Sequence, residues 1–425
     1  MKGVSFVAGR IFLRGRRERR QGYPLAGAAL GIALSLIPLV TVDHVADAMI
    51  DGIIARYRET SSFHFQVYTH ELAGAQSWEK NLHQIQEQGD VESAWIERQG
   101  FGLARAGDFR EGLTLRALPP ELYEQNASFA SFIQFDSGTW NLKEKNSILL
   151  GREAARRLNA QTGDTLRVLT ARLLPDGRYV PRVSRFKVGG IFSSGYQDLD
   201  RTWAFIPLER GWKILSDESS TTFVGGCFTG GPAEASVKRE RIAAGLPDTL
   251  RVYSWRELNR FLLSNLENTR SILLFLMAII IIVAVVNVLS SLVMLTLERR
   301  REIGILKCTG TSPAQITFTF ILAGLMASAA GTAAGLGGGL LASRFINEII
   351  SGIEHFLDFF SRFTASSAEH HLLDEEYYLQ YIPVQMRWKS VGIIGCATLF
   401  LSFLAAALPS WRSSRVAPLE VLRKH

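Results

Sequence analysis

Cysteine is scarce in this sequence, and the short motifs that hold nucleotides or metals are absent. Its 425 residues include three cysteines, Cys227, Cys308 and Cys396, with no CxxC, no HExxH and no Gly-Lys dipeptide. Without Gly-Lys there is no P-loop to cradle phosphates, so any ATP that drives this protein sits on another polypeptide. The three cysteines fall in segments that the topology below keeps apart, which excludes a disulfide framework. Charge is missing from two long stretches: Ser271 to Leu297 and Thr309 to Ser343 carry no charged residue. About 20 apolar residues span roughly 30 Å of hydrocarbon, so each stretch is long enough to cross a bilayer.

What is present fits a mixed protein. Apolar residues make up 47% of the chain and mean hydropathy is +0.10. That is high for a soluble protein and low for one wholly embedded in lipid. The net charge of +7 and pI near 9.4 do not point to nucleic acid, because the basic residues cluster beside the apolar runs, as positive-inside topology requires. Residues 1–20 carry Lys2, Arg10, Arg14, Arg16, Arg17, Arg19 and Arg20 against Glu18 alone, which holds the N-terminus in the cytoplasm. Residues 21–42 form the first span. The apolar stretch exceeds the h-region of a cleavable signal peptide, so a retained anchor is expected. Gly27 and Gly31 give it a small-residue face for helix packing.

Val45, Met49, Ile50, Ile53, Ile54 and Tyr57 continue at helical spacing, as an amphipathic stalk. A matching stalk returns at Ser254, where Ser254 and Glu257 form a capping box ahead of Leu258, Phe261, Leu262 and Leu266. Between them the sequence reads as mixed α/β. Phe63, Phe65 and Val67 alternate as a half-buried strand, Gly151 to Leu158 as a helix, and Leu166 to Leu173 and Arg185 to Ile191 as strands. Leu174, Pro175, Asp176 and Gly177, with Tyr179 beyond, make a turn in which Pro presets φ and Gly takes positive φ. That hairpin reads either as a plain connection or as a docking element.

The second span is 271–297, with Asn287 its one strongly polar residue and an interhelical hydrogen bond its expected role. The third, 313–343, carries Ala323, Ala327, Gly331, Gly335 and Gly339 every fourth residue, a stripe for close helix approach. Residues 344–389 are acid-rich and hold a helical apolar stripe from Phe345 to Phe360, consistent with an outer-interface helix. His370 and His371 near Asp374 and Glu375 read as a solvated loop rather than a metal site. A fourth span at 390–409 and a basic tail at 410–425 complete an in, out, in, out, in topology. The fold class expected is four transmembrane α-helices with a large mixed α/β extracytoplasmic domain, residues 43–270 with its stalks, inserted between helices 1 and 2.

The segment joining spans two and three, residues 298–312, sets Ile303, Ile305 and Leu306 against Arg299, Arg300, Arg301, Glu302 and Lys307. That pattern suits either a short helix lying in a partner's groove or an ordinary basic loop. The string LERRREIGILKCTGTSPAQI resembles the segment between the second and third membrane helices of MacB/FtsX-like ABC permeases. There it is the coupling helix that docks on the ATPase. The resemblance assigns Arg300, Arg301, Glu302, Ile303, Gly304 and Lys307 to the contact with a cytoplasmic ATPase dimer, with ATP and Mg on that partner and no cofactor on this chain.

ILLGREAARRLNAQTGDTLRV, FKVGGIFSSGYQDLDRTWAFIPLE and YYLQYIPVQMRWKS are similar to lipoprotein-releasing permeases of the LolC/LolE type. PSWRSSRVAPLEVLRKH resembles the superfamily's cytoplasmic ending. The resemblance implies a non-catalytic, multi-pass subunit of the bacterial inner membrane, with both termini cytoplasmic. It would pair with itself or a paralogue, take acylated lipoproteins from the membrane lipid, and pass them to a periplasmic carrier. The hairpin Leu174 to Tyr179 occupies the place of the carrier-receiving hook in one such permease. Val40, Val45, Met49, Phe261 and Leu266 are candidates for lining a lipid cavity, with plain helix packing as the alternative. Rival readings are an FtsX-like subunit that switches a cell-wall hydrolase and a MacB-like efflux permease, the latter usually fused behind its ATPase.

Overall fold

The computed structural model describes residues 24–69, 74–173, 178–232, 234–298, 310–363 and 384–413. The chain divides into two compact units, one of residues 1–48, 267–363 and 382–425 and the other of residues 49–266 and 364–381. The long helices are α1 (Pro24–Tyr57), α2 (Arg260–Glu298), α3 (Pro313–Arg344), α4 (Ile346–Phe363) and α5 (Trp388–Ser413). Each of α1, α2, α3 and α5 holds a stretch long and apolar enough to cross a membrane. The expected second span is thus part of a longer helix: the 39 residues of α2 reach roughly 58 Å at 1.5 Å per residue.

Both long returns into the membrane unit start from capping chemistry. Ser254 caps a short helix, Trp255–Leu258, by the reciprocal bond with Glu257, and the chain breaks at Asn259 before α2 begins. Ser312 does the same for α3: its hydroxyl accepts from the Gln315 N–H, and the Gln315 side chain accepts from the Ser312 N–H. Pro313 follows at the first helical position, where its missing N–H costs nothing.

The second unit is built on ten strands: β1 (Phe65–Thr69), β2 (Val91–Ala106), β3 (Phe109–Leu118), β4 (Gln134–Gly138), β5 (Ser147–Gly151), β6 (Thr165–Leu173), β7 (Tyr179–Ser193), β8 (Trp203–Pro207), β9 (Ser220–Phe228) and β10 (Leu250–Ser254). They pair in the order β10-β1-β9-β2-β3-β8-β5-β7-β4, and β6 bridges β7 back to β2. The path β2-β3-β8-β5-β7-β6 therefore closes into a ring. Its pairs are antiparallel except β3 with β8 and β5 with β7.

Alternation along the strands sorts side chains into separate cores. Leu113, Leu115, Ile148, Leu150, Phe186, Val188, Ala204 and Ile206 share one core with Ala154 and Leu158 of the helix Arg152–Leu158. Their neighbours in sequence Leu149, Trp203 and Phe205 face a second core with Phe63, Trp95 and Phe192. A third core sets Phe65, Val67, Ile96 and Val224 against Trp78, Ile85 and Ile242 of the helices Ala75–Gln86 and Ala235–Ala244. An ion pair also lies inside this unit. Glu97 and Arg116 are both fully buried and meet at 2.5 Å, with the guanidinium over the Trp203 ring at 4.2 Å.

Three expectations change. The strand expected as half-buried is covered on both faces: Phe65 and Val67 lie in the third core, and Gln66, pointing the other way, is buried too and donates to the Ser61 carbonyl. Phe63 lies outside it: a π-helical turn, Arg58–Ser62, ends α1, and Phe63 follows with φ of +52°. The strand expected at Arg185 begins earlier, at Tyr179, because β7 pairs with β6 in unbroken register from Lys187 opposite Thr165 to Tyr179 opposite Leu173. Pro181 is tolerated there because β5 and β4 join β7 only from Lys187 onward.

Candidate functional site: a helix bundle and an apolar cleft

The membrane unit is held by apolar interdigitation and by close backbone approach. Ile32, Leu36, Leu39 and Val40 of α1 pack with Met277, Ile281, Val288 and Leu292 of α2, Ile316, Phe320, Ala323 and Ala327 of α3, and Ile394 and Ala406 of α5. The glycine stripe of α3 lies against α1. A Cβ at Gly331 would fall 2.5 Å from the Ala29 carbonyl oxygen, one at Gly335 2.7 Å from the Leu36 Cβ, and one at Gly339 2.7 Å from the Val40 Cβ. Only hydrogen fits at these crossings, which is how small residues let membrane helices approach. Gly31 faces Asn287 of α2, its built Cβ 3.6 Å from Asn287 Nδ2, whereas Gly27 has no neighbour within 4 Å.

The outward surface of the same helices is apolar. Leu30, Leu34, Ile272, Phe275 and Phe400 are each more than half exposed, a surface that suits hydrocarbon and not water.

The residues expected to line a lipid cavity are divided between the two units, Val40 and Val45 in one and Met49, Phe261 and Leu266 in the other. Val40 is fully buried against Gly339, inside the bundle. Val45 is half-buried in the same unit; Met49 and Leu266 are half-buried and Phe261 is exposed in the other. The segment carrying Arg300, Arg301, Glu302, Ile303, Gly304 and Lys307 lies outside the described residues, as do Leu174, Pro175, Asp176, Gly177 and the loop with His370 and His371.

In the sheet unit, β6 and β7 form the two arms of the expected hairpin, with Leu173 opposite Tyr179 at its described end. Beside its outer half, near that end, runs a cleft of about 620 Å³, bounded by Phe101 and Leu103 of β2, Thr114 of β3, Leu169 of β6, and Val180 and Pro181 of β7. Phe101 is 79% exposed, and Leu103, Leu169 and Val180 are exposed too. The cleft is therefore an apolar surface open to solvent. No sequence signal announced it, because its walls come from two strand pairs, β2–β3 and β6–β7, that are far apart in the chain.

The string GIFSSGYQDLD owes its form to one buried carboxylate. Asp200 accepts hydrogen bonds from Ser193 Oγ at 2.8 Å and from the Ser194 N–H at 2.6 Å. Burial pushes its carboxyl above the usual range, against the pull of those bonds. Arg56, near the end of α1, donates to the Ser194 carbonyl at 3.1 Å. The loop is thereby tied to the last turns of that helix.

Sequence reasoning also missed a charged cluster in the membrane unit. Asp43, His44 and Asp47 are all buried on α1, and Asp47 meets Arg270 of α2 and Arg387 ahead of α5. The signal was available: three titratable residues within five positions at the end of an apolar run. Among the described residues, no group of three or more His, Cys, Asp or Glu is placed to hold a metal.

Comparison with known proteins agrees with this architecture. Residues 274–418, which span most of α2 and all of α3, α4 and α5, match the FtsX-like permease C-terminal family. The chain is 28% identical to the lipoprotein-releasing system transmembrane protein LolC of Xylella fastidiosa (strain 9a5c), over 99% of this chain and 98% of that protein. It is 26% identical to the LolC protein of Neisseria meningitidis serogroup B over 76% of this chain and 75% of that one. It is 23% identical to the LolE protein of Haemophilus influenzae over 76% and 75%. Four apolar helices with a sheet unit between the first two thus belong to an ABC-type permease of the inner membrane, crossing it several times. Within that class, the similarity over most of the chain is to permeases of the LolC/LolE type.

Proposed function

We propose that this chain is the membrane subunit of an ATP-driven complex that lifts acylated lipoproteins out of the inner membrane and hands them to a soluble periplasmic carrier. The observation that carries the reading is end-to-end similarity to proteins named for lipoprotein release, covering the sheet unit as well as the helices. A subunit that shared only the permease helices would not match across β1 to β10.

The physical problem fits the parts. A buried acyl chain gains about 0.8 kcal/mol per methylene, so one burying roughly 14 of them resists extraction by about 11 kcal/mol. Several such chains do not leave at useful rates without coupled work. Two permease subunits, identical or paralogous, sit over two ATPase subunits, and closure of the ATPases pushes on the segment Arg300 to Lys307. The exposed apolar faces of α1 and α2 offer the lipid a surface, and it enters sideways between the first and second spans of opposing subunits. The cleft beside the β6–β7 hairpin gives an apolar carrier mouth a place to rest at the moment of transfer. N- and C-termini lie in the cytoplasm, where the basic residues of both tails cluster.

The test is depletion of the protein, then separation of inner and outer membranes and quantification of acylated lipoproteins in each. Accumulation in the inner membrane is expected, reversed by the wild-type chain and not by the triple variant R301A/E302A/K307A. An unchanged distribution with division or wall-turnover defects would overturn the reading in favour of a subunit that regulates a cell-wall hydrolase.

A further inference from the structure

The charged cluster at the end of the bundle has no part in the packing that holds the helices together, yet it links three of them. Asp43, His44 and Asp47 stand at i, i+1 and i+4 on α1, so Asp43 and Asp47 lie one turn apart on the same face. All three are less than a tenth exposed. His44 Nδ1 lies 2.9 Å from the Val40 carbonyl oxygen. A carbonyl only accepts, so that nitrogen carries the proton. The other, Nε2, is then free to accept the backbone N–H of Arg387 at 3.4 Å. Arg387 Nη1 donates to Asp47 Oδ2 at 2.7 Å, and Arg270 Nη2 reaches the same oxygen at 3.3 Å. One carboxylate oxygen on α1 therefore holds α2 through Arg270 and the segment entering α5 through Arg387.

The two arms are unequal. The Arg387 arm is short, reinforced by the bond to His44, and its side chain is 34% exposed. The Arg270 arm is longer and its side chain is 50% exposed. A guanidinium already half in solvent loses little on leaving, whereas the Arg387 arm cannot leave without breaking two bonds to α1. In the bundle core α1 meets α2 through apolar contacts and the Gly31–Asn287 crossing, and dispersion contacts are lost gradually as two surfaces part. An ion pair near lipid is held or broken.

We infer that Asp47 is a charged latch whose Arg387 arm keeps α1 and α5 moving as one body and whose Arg270 arm opens, letting α2 part from α1. Asp47 and Arg270 are then positioning residues for lateral opening of the bundle. The use made of that opening rests on the lipoprotein reading above; the latch itself does not.

The test uses the full chain in native membranes, with Cys308 and Cys396 replaced by serine. A Cβ at Gly31 would lie 3.7 Å from the Asn287 Cβ, within disulfide range, so the pair G31C/N287C reports apposition of α1 and α2. A Cβ at Gly324 would lie 3.4 Å from the Ala406 Cβ, so G324C/A406C reports apposition of α3 and α5. Both pairs are oxidised with copper phenanthroline in the absence of nucleotide. Arg270→Gln is expected to lower the yield of the first pair at least threefold and leave the second unchanged, with Arg270→Lys restoring most of it. Asp47→Asn should lower the first yield as far as Arg270→Gln does.

An unchanged first pair in both Arg270→Gln and Asp47→Asn would overturn the latch. So would a parallel loss in both pairs, which would mark general loosening of the bundle. Because this readout needs neither ATP hydrolysis nor lipoprotein, it separates failure of the latch from failure of the transport reading.

Discussion

The two units of this protein solve the same problem, burying a polar backbone and an apolar surface, by opposite means. In the sheet unit, alternation along ten strands sends successive side chains to different cores, and specificity comes from side-chain shape and one buried ion pair. In the bundle, backbone hydrogen bonds are made within each helix and both inside and outside are mainly apolar, so hydrophobicity does not distinguish them. Fit does: glycines mark where another helix comes close, and large exposed side chains mark the surface left to lipid. The lesson is that polar groups are structural anchors in the first unit and exceptions in the second, where each buried charge invites a mechanical explanation.

That contrast predicts where the chain is most easily broken. The largest loss is expected from Glu97→Ala in the sheet unit. It strands the fully buried Arg116 guanidinium, and breaking a buried pair from one side costs about 3–5 kcal/mol. Denaturation of the purified chain in detergent, followed by proteolysis of the sheet unit, checks this. Replacing both partners by leucine should recover most of the loss, since the uncompensated charge is then gone.

Next comes Gly335→Leu in the bundle. Its Cβ alone would lie 2.7 Å from Leu36 and 3.1 Å from the Ala33 Cα, and overpacking of this kind costs about 1–3 kcal/mol. Thermal unfolding in detergent should show it, while Gly27→Leu, at a site with open space around it, should change little. Equal effects at both positions would remove the claim that close α1–α3 approach organises the bundle.

Smaller again is Ser312→Ala, which removes the side-chain half of the capping box at the start of α3. A loss of about 1 kcal/mol is expected, with faster proteolysis at the start of that helix and no change at Ser254.

The smallest effect on stability at neutral pH is expected at Cys227. Burial, with the Glu59 charge adding to it, pushes the thiol up to about 12. It therefore stays protonated at pH 8 and should react with maleimide orders of magnitude more slowly than the same residue in the denatured chain. The sign follows: a thiol that holds its proton more tightly when folded takes stability from the fold only as pH rises from about 8.5 towards 12.

Much of this architecture was legible locally. Uncharged runs of sufficient length marked all four helices that are long and apolar enough to cross a membrane, because the cost of charge in lipid is a property of each residue. The Ser254–Glu257 capping box, the helix after Gly151 and the strands flanking Pro175 were legible for a similar reason: their signals lie within a few residues. The pairing of β6 with both β2 and β7 was not, since Leu103 meets Leu169 across a stretch holding several other elements. Nor was the burial of β1 on both faces, because the cores it faces include side chains from the far end of the domain such as Phe223, Phe228 and Val252.

The Asp47 cluster shows the boundary most clearly. Sequence alone determined that Asp43, His44 and Asp47 fall where the uncharged run of α1 ends, because residue type and helical spacing suffice for that. Only the tertiary structure decided that Arg270 and Arg387, more than two hundred residues away in the chain, share one oxygen of Asp47. Charge states a demand for a partner, but the choice of partner follows from how the helices pack, and that packing is decided by the glycines of α3 and the apolar core around them.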